Sequence, residues 1–348
     1  MPSDRINIRE IAALAGVSTA SVSRALRGPS PYLKEEKRQA ILKICAERRY
    51  YPNVHTQRMF AHRARTVALF YPPFESINTD YQRHVPDADF GSCMMGAQNI
   101  LTPQGIDLLL CEITPDFLDA SRHLKMCRGK SVDGILVWGA CDQDVYVREI
   151  AAEKLPLVMV QNELPECSAP VVVADDYAGM FAVTRLALEA GHRRIAVAAA
   201  ADAASTGRAR MNGIFDALRE FGVAPCYVTQ GRGYGYRFGQ EAAREIQAQA
   251  PDASCIVAPN DMAAWGCIDA MRALGRRTPE DVSVLGGDGI PVPGELELTS
   301  FYTPAYEMGQ TGAELLLNMA EHGTGQPVPV RTVLPVRTIA GNTLRRLE

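Results

Sequence analysis

The chain has 348 residues, 47% hydrophobic and 22% charged, a balance that belongs to globular domains and excludes a disordered or membrane-embedded chain. No apolar run approaches the roughly 20 residues that cross a bilayer, and the start Met1-Pro2-Ser3-Asp4-Arg5 lacks a charged-then-apolar leader, so a cytoplasmic protein without a membrane partner is expected. The net charge of −4 conceals a division: residues 1–65 carry 13 Lys and Arg against 5 Asp and Glu, whereas the remainder carries 23 against 35. Such a basic head on an acidic body is expected when only the head meets a polyanion.

Ile8, Ile11, Ala12 and Ala15 recur with the period of an amphipathic helix, and Asn7 precedes them as an N-cap. Gly16 tolerates the positive φ of a tight turn, and Ser18 can cap a second helix, Thr19–Leu26, whose Val22, Ala25 and Leu26 face inward. A third helix is predicted at about Glu35–Arg48, with Ile41, Ile44 and Cys45 on its apolar side. Three short helices with a glycine turn between the first two make a helix-turn-helix unit.

The run from Ile8 to Leu26, with its Ala12-x-x-Ala15-Gly16-Val17-Ser18-x-x-Ser21-Val22-Ser23-Arg24 pattern, resembles the head of the lactose-repressor family. Tyr50-Tyr51-Pro52-Asn53 resembles the element ahead of that family's hinge. The resemblance implies a transcription regulator that binds pseudo-palindromic operator DNA as a homodimer. Thr19 and Ala20 fall at base-reading positions, where Thr can hydrogen-bond or offer a methyl and Ala can make only an apolar contact. Arg24 could donate to guanine or phosphate, while Ser18, Ser21 and Ser23 suit backbone contacts or capping. Arg27, Lys34, Lys37 and Arg49 are candidates to neutralise phosphates. Two departures bear on the third helix: Lys34 stands where a capping Ser is common, and Arg48-Arg49 replaces Leu-Gly.

In the family, Pro-Asn opens a hinge helix that orders on DNA and inserts a leucine into the minor groove. Asn53 matches that opening, and Met59 falls at the leucine position as an acceptable wedge. Thr56 lowers helix propensity slightly, and an unstructured linker is the alternative.

From Thr66 the pattern alternates apolar runs with helical segments, the signature of a parallel α/β body. Strands are predicted at Val67–Tyr71, Ile106–Cys111, Gly134–Trp138, Leu157–Gln161, Val171–Val173, Ile195–Ala199, Cys255–Ala258 and Val282–Gly286. Helices are predicted at Phe90–Leu101, Gly179–Ala190, Met211–Phe221, Gly239–Gln249, Met262–Leu274 and Tyr306–Glu321. Asp175-Asp176-Tyr177-Ala178-Gly179 (with Asp176 in place of Asn), Gly191-His192-Arg193-Arg194-Ile195, Pro259-Asn260-Asp261 and Gly286-Gly287-Asp288 resemble further family elements.

The full expectation is an all-α helix-turn-helix head plus an α/β two-lobed periplasmic-binding-protein-like sensor domain. Residues 1–51 would form the head, 52–65 the hinge, and 66–348 the effector-binding and dimerisation domain. Its N-lobe would span about 66–165 and 302–330, its C-lobe about 166–301 and 331–348, with three crossings between them.

By motif position, Arg210, Asn260 and Asp288 are the expected effector contacts, since Arg donates, Asp accepts and Asn does both toward sugar hydroxyls. Tyr234 falls where relatives place an aromatic against the sugar ring, although Tyr236 or Phe238 could serve. The unusual segment 71–90 is expected to shape the pocket, and Trp138 to line it. Nine cysteines without a C-x-x-C pair read as reduced core residues, and no metal or cofactor is expected. Asp175, Asp176 and Asp261 are carboxylates without an accompanying nucleophile elbow or phosphate loop, and the turn motif explains His192, so no enzyme is expected. A small-molecule effector, a sugar or sugar derivative, is the expected ligand.

Overall fold

The computed structural model describes residues 6–51, 63–73, 88–199, 203–231, 233–291, 296–323 and 328–348. The chain divides into a unit of Met1–Ala64 and a unit of Arg65–Glu348.

In the first unit, α1 (Ile8–Leu14) starts at Asn7, whose Oδ1 accepts from the N–H groups of Arg9 at 2.9 Å and Glu10 at 3.2 Å. The Glu10 carboxylate accepts from the Asn7 N–H at 3.1 Å, closing a reciprocal capping box. Gly16, at φ 62°, turns the chain into α2 (Thr19–Arg27), where Ser18 Oγ accepts from the Ser21 N–H at 3.2 Å. The Lys34 side chain makes no capping bond to α3 (Glu35–Glu47), and Glu35 and Glu36 instead place negative charge in its first turn. Ile11, Val22, Ala25, Ile41 and Cys45 are buried together between the helices. The third helix ends one residue earlier than expected. Arg48 caps it and Arg49 adopts φ 48°, a left-handed backbone that costs a side-chain-bearing residue roughly 1–2 kcal/mol.

The second unit holds two parallel sheets. One contains β1 (Thr66–Tyr71), β2 (Asp107–Glu112), β3 (Gly134–Trp138), β4 (Leu157–Val160), β5 (Val171–Ala174) and β11 (Arg331–Leu334), ordered β11-β5-β4-β3-β1-β2. The other contains β6 (Ile195–Val197), β7 (Tyr227–Val228), β8 (Cys255–Val257) and β9 (Ser283–Leu285), ordered β7-β6-β8-β9. β3 and β4 are buried along their whole length, as expected of apolar runs covered on both faces. An antiparallel pair, β10 (Ser300–Tyr302) and β12 (Arg337–Ile339), lies where the chain passes between lobes.

Among the described residues the helices of this unit are α4 (Ala88–Leu101), α5 (Pro115–Asp119), α6 (Arg122–Arg128), α7 (Val145–Ala152), α8 (Asp176–Glu189), α9 (Ser205–Glu220), α10 (Tyr236–Gln249), α11 (Asp261–Ala273) and α12 (Ala305–His322). Three helix pairs meet backbone to backbone, one of them α9 with α8, where a Cβ on Gly213 would collide with the Tyr177 carbonyl. A Cβ on Gly309 of α12 would collide with the Cys93 carbonyl of α4, and one on Gly239 of α10 with the Ala263 carbonyl of α11.

The expected lobe boundaries require correction. β5 pairs with β4, Met159 opposite Val171, and β11 pairs with β5, Arg331 opposite Val171. The N-lobe sheet therefore includes residues 171–174 and 331–334, which the sequence places in the C-lobe. The chain crosses after Ala174, near Thr303 and between Leu334 and Arg337. None of the nine cysteines is in a disulfide, and Cys45, Cys93, Cys127, Cys255 and Cys267 are buried. No described helix is long and apolar enough to cross a membrane.

Candidate functional site

On the head, the side chains proposed for DNA gather on the first turns of α2. Ser18, Thr19, Ala20 and Arg24 are exposed, and Ser21 is half-buried. Capping occupies Ser18, whose Oγ also lies 3.0 Å from Ser21 Oγ, which leaves Thr19 and Ala20 as the outward pair at the helix start. The Arg24 guanidinium sits 5.9 Å from the Tyr32 ring centroid, an exposed cation–π contact that aims the side chain away from the core. Lys34, Lys37 and Arg49 are exposed as well. Asn53 and Met59, with the rest of 52–62, lie outside the described residues.

In the body, the carboxyl ends of strands from both sheets face a cavity of about 840 Å³. Ligands of open parallel sheets bind at such strand ends. Pro72 follows β1, Trp138 ends β3 and Asn162 follows β4, while Tyr234, Asn260 and Asp288 follow β7, β8 and β9. Arg210 enters from α9, so all four residues predicted by motif line one cavity. Trp138 lines it too, as do Pro72, Pro73, Ala88 and Asp89 from the ends of the unusual segment; residues 74–87 lie outside the described residues.

The floor is an ion cluster. Arg210 is 4% exposed; its Nε donates to Asp176 Oδ1 at 2.7 Å, its Nη2 lies 2.6 Å from Asp288 Oδ1, and its Nη1 donates to the Pro259 carbonyl at 2.9 Å. Three of the five N–H groups of a guanidinium are thus engaged, leaving two for a ligand oxygen. Burial alone would lower the Arg210 pKa, but Asp288 and Asp176 hold it well above its ordinary value. Burial raises the pKa of Asp288 against the pull of Arg210. The same balance raises Asp176.

Asp261 braces this floor from behind. Its carboxylate accepts from the N–H groups of Gly289 at 2.7 Å and Ile290 at 2.8 Å and from Ser300 Oγ at 2.7 Å. Those bonds hold the loop in which Asp288 takes φ 141°, a backbone region rare for a side-chain-bearing residue. Asn260 Oδ1 accepts from the Ala263 N–H at 2.9 Å and caps α11, so its amide nitrogen is the group offered to a ligand. Burial pushes the Tyr234 hydroxyl up to about 12, so it is a neutral donor in the cavity wall at ordinary pH. Tyr236 is buried with its hydroxyl donating to Asp269 at 2.6 Å, which removes it as the ring-stacking alternative.

Motifs did not reveal a clasp between the lobes. Asp142, beyond β3, pairs with Arg208 of α9 through bonds of 2.6 Å and 3.2 Å. Beside it, Asn162 Oδ1 accepts from the Thr206 N–H at 3.2 Å, and Thr206 Oγ1 donates to the Gln161 carbonyl at 3.1 Å. Each is a polar residue without a motif around it in the sequence; only the fold brings them together. His192 is a brace. Its ring lies 2.8 Å from Ser254 Oγ and donates through Nε2 to the Arg345 carbonyl at 3.0 Å.

Two family models match the chain: "Bacterial regulatory proteins, lacI family" over residues 7–53, and "Periplasmic binding protein-like domain" over residues 184–344. The chain belongs to the lacI family. It is a DNA-binding transcription regulator. Among curated relatives, this lacI-family chain is 26% identical to the ribose operon repressor of Bacillus subtilis over 97% of its own length and 98% of the relative's. It is 29% identical to the HTH-type transcriptional regulator CelR of Thermobifida fusca, covering 93% and 94%. A solved transcriptional regulator CelR–cellobiose complex superposes with a TM-score of 0.72 at 28% identity, over 97% of this chain and 100% of that one.

Proposed function

We propose that this lacI-family chain is a homodimeric repressor of carbohydrate-use genes that acts in the cytoplasm and is controlled by a sugar bound between its two lobes. The observation that carries the reading is the cavity into which Arg210, Asn260, Asp288 and Tyr234 converge from separate elements. Donors and acceptors at its floor and an aromatic wall suit a ring of hydroxyls with one apolar face. The names of the relatives, a ribose operon repressor and a regulator bound to cellobiose, favour the same class of ligand.

In the head, Thr19 and Ala20 read base edges and Arg24 donates to guanine or phosphate, with Ser18 and Ser21 setting the helix end against the backbone. Asn53 and Met59 serve the hinge of residues 52–65 in this reading. For dimerisation, β2 is the edge strand of its sheet, with Leu109 44% and Leu110 43% exposed, and Met95 of α4 is 60% exposed. An apolar sheet edge of this kind favours cover by a second copy. The buried carboxylates are engaged as braces, and no catalytic role is proposed.

Fluorescence anisotropy with the DNA upstream of the gene, across a salt series and a sugar panel, tests the reading. Salt-steep binding that one sugar alters is expected. Salt-steep binding altered only by a non-carbohydrate metabolite would transfer control to another pathway. Replacing Thr19 with Ala should cost about 1–3 kcal/mol on the preferred operator and relax its base preference.

A further inference from the structure

We propose that the effector carries no anionic group, and that Asp176, behind the cavity floor, is the residue that keeps anions out. The proposal rests on the reading of this cavity as the effector site. Arg210 is the cation best placed to receive a carboxylate or phosphate, yet two carboxylates already flank it, Asp288 at 2.6 Å and Asp176 at 2.7 Å. Asp288 is partly open to the cavity, with its side chain 12% exposed, whereas Asp176 is 6% exposed and lies beyond ligand reach. Its contribution is therefore charge and geometry: it orients Nε and cancels the guanidinium before any ligand arrives.

The remaining charges point the same way. Asp89 and Asp144 line the walls, and Arg237 at the mouth is countered by Glu241 at 3.3 Å. Among the described residues five helix starts also line the cavity, and their partial positive charge, about half a unit each, favours anions. Four of the five are countered: Asp89 and Asp144 stand at the starts of α4 and α7, Asn260 caps α11, and the Thr206 N–H in the first turn of α9 bonds Asn162. The start of α10 at Gly235 has no side-chain cap and adds a positive end of its own. At the floor itself the two carboxylates of Asp176 and Asp288 outnumber the single guanidinium of Arg210. An anion entering this cluster meets net repulsion, whereas a hydroxyl oxygen can still accept from the two remaining Arg210 N–H groups.

The test uses the full chain and compounds matched in skeleton, at fixed ionic strength: glucose with glucose 6-phosphate, galactose with galacturonate, ribose with ribose 5-phosphate, and inorganic phosphate as the minimal anion. Titration calorimetry and thermal shift are read on the native chain and on Asp176→Asn, an isostere that keeps an acceptor for Arg210 Nε while removing the charge. The native chain should bind none of the anions, and Asp176→Asn should bind phosphate or an anionic sugar about tenfold or more tightly than the native chain. If circular dichroism shows that this variant does not fold, Asp288→Asn is read in the same way. An anion that binds the native chain and is lost on Tyr234→Ala would overturn the proposal while leaving the cavity reading intact. Equal phosphate binding by the native chain and the folded variant would overturn it too. A neutral sugar that binds equally well after Tyr234→Ala would defeat the cavity reading, and this proposal with it.

Discussion

Arg210 and Asp288 meet at 2.6 Å, joining a helix of the C-lobe to the loop beyond its β9 strand. The pair is almost wholly withdrawn from water, where removing one partner costs far more than the pair itself contributes. Arg210→Ala would leave Asp176 and Asp288 buried without their cation. It should lower unfolding free energy by about 3–5 kcal/mol in urea denaturation. Operator binding by the separate head should persist in the folded fraction, while the response to effector is lost.

The pH dependence follows from the same loop. Burial holds the Asp288 carboxyl above its ordinary range against the pull of Arg210, so the folded chain retains a proton that the unfolded chain has released. Stability from this group is therefore present at low pH and falls as pH rises from the ordinary carboxylate range, near 4, toward neutrality. Asp288→Asn has no proton to lose. Its melting temperature should climb relative to that of the native chain as the buffer is taken from mildly acidic to mildly basic. A constant difference across that range would contradict the assignment.

In the head, Arg49 holds φ 48° at the end of α3. Glycine accepts that backbone without strain, so Arg49→Gly should stabilise the head by about 1 kcal/mol in a thermal or urea melt. It also removes an exposed cation. If Arg49 meets a phosphate, the slope of log affinity against log salt should fall by about one unit, pulling stability and DNA affinity in opposite directions.

Gly309 gives the most direct packing test. Its α carbon lies against the Cys93 carbonyl of α4, where an added methyl has no room. Gly309→Ala should destabilise the body by about 1–3 kcal/mol, although Ala favours a helix over Gly. Urea denaturation that shows a gain in stability would mean that the two helices separate without cost.

The sequence discloses the parts of this molecule whose evidence is local. Asn7, Gly16 and Ser18 announce their cap and turn because the chemistry lies within four residues. β3 is legible end to end because five apolar residues stand between Asp133 and Gly139. β11 is not legible because Arg331-Thr332-Val333-Leu334 is an edge strand with half its side chains exposed, and its partner β5 is remote in the chain. That gap also displaces the lobe boundary. α5 and α6 are too short to display a helical period. For the cavity, motif position identifies Arg210, Asn260, Asp288 and Tyr234, but not that carboxylates already hold Arg210, nor that Asp261 fixes the loop behind it. Those facts depend on distances set by tertiary structure.

The Asp142–Arg208 pair has a practical corollary for anyone measuring this regulator. Both side chains are about one-third exposed, so dissolved ions reach and weaken the link between the lobes. The same ions compete with the head for phosphates. A salt titration therefore perturbs two equilibria at once, lobe closure and operator affinity, and its slope counts phosphate contacts only when effector occupancy is held constant.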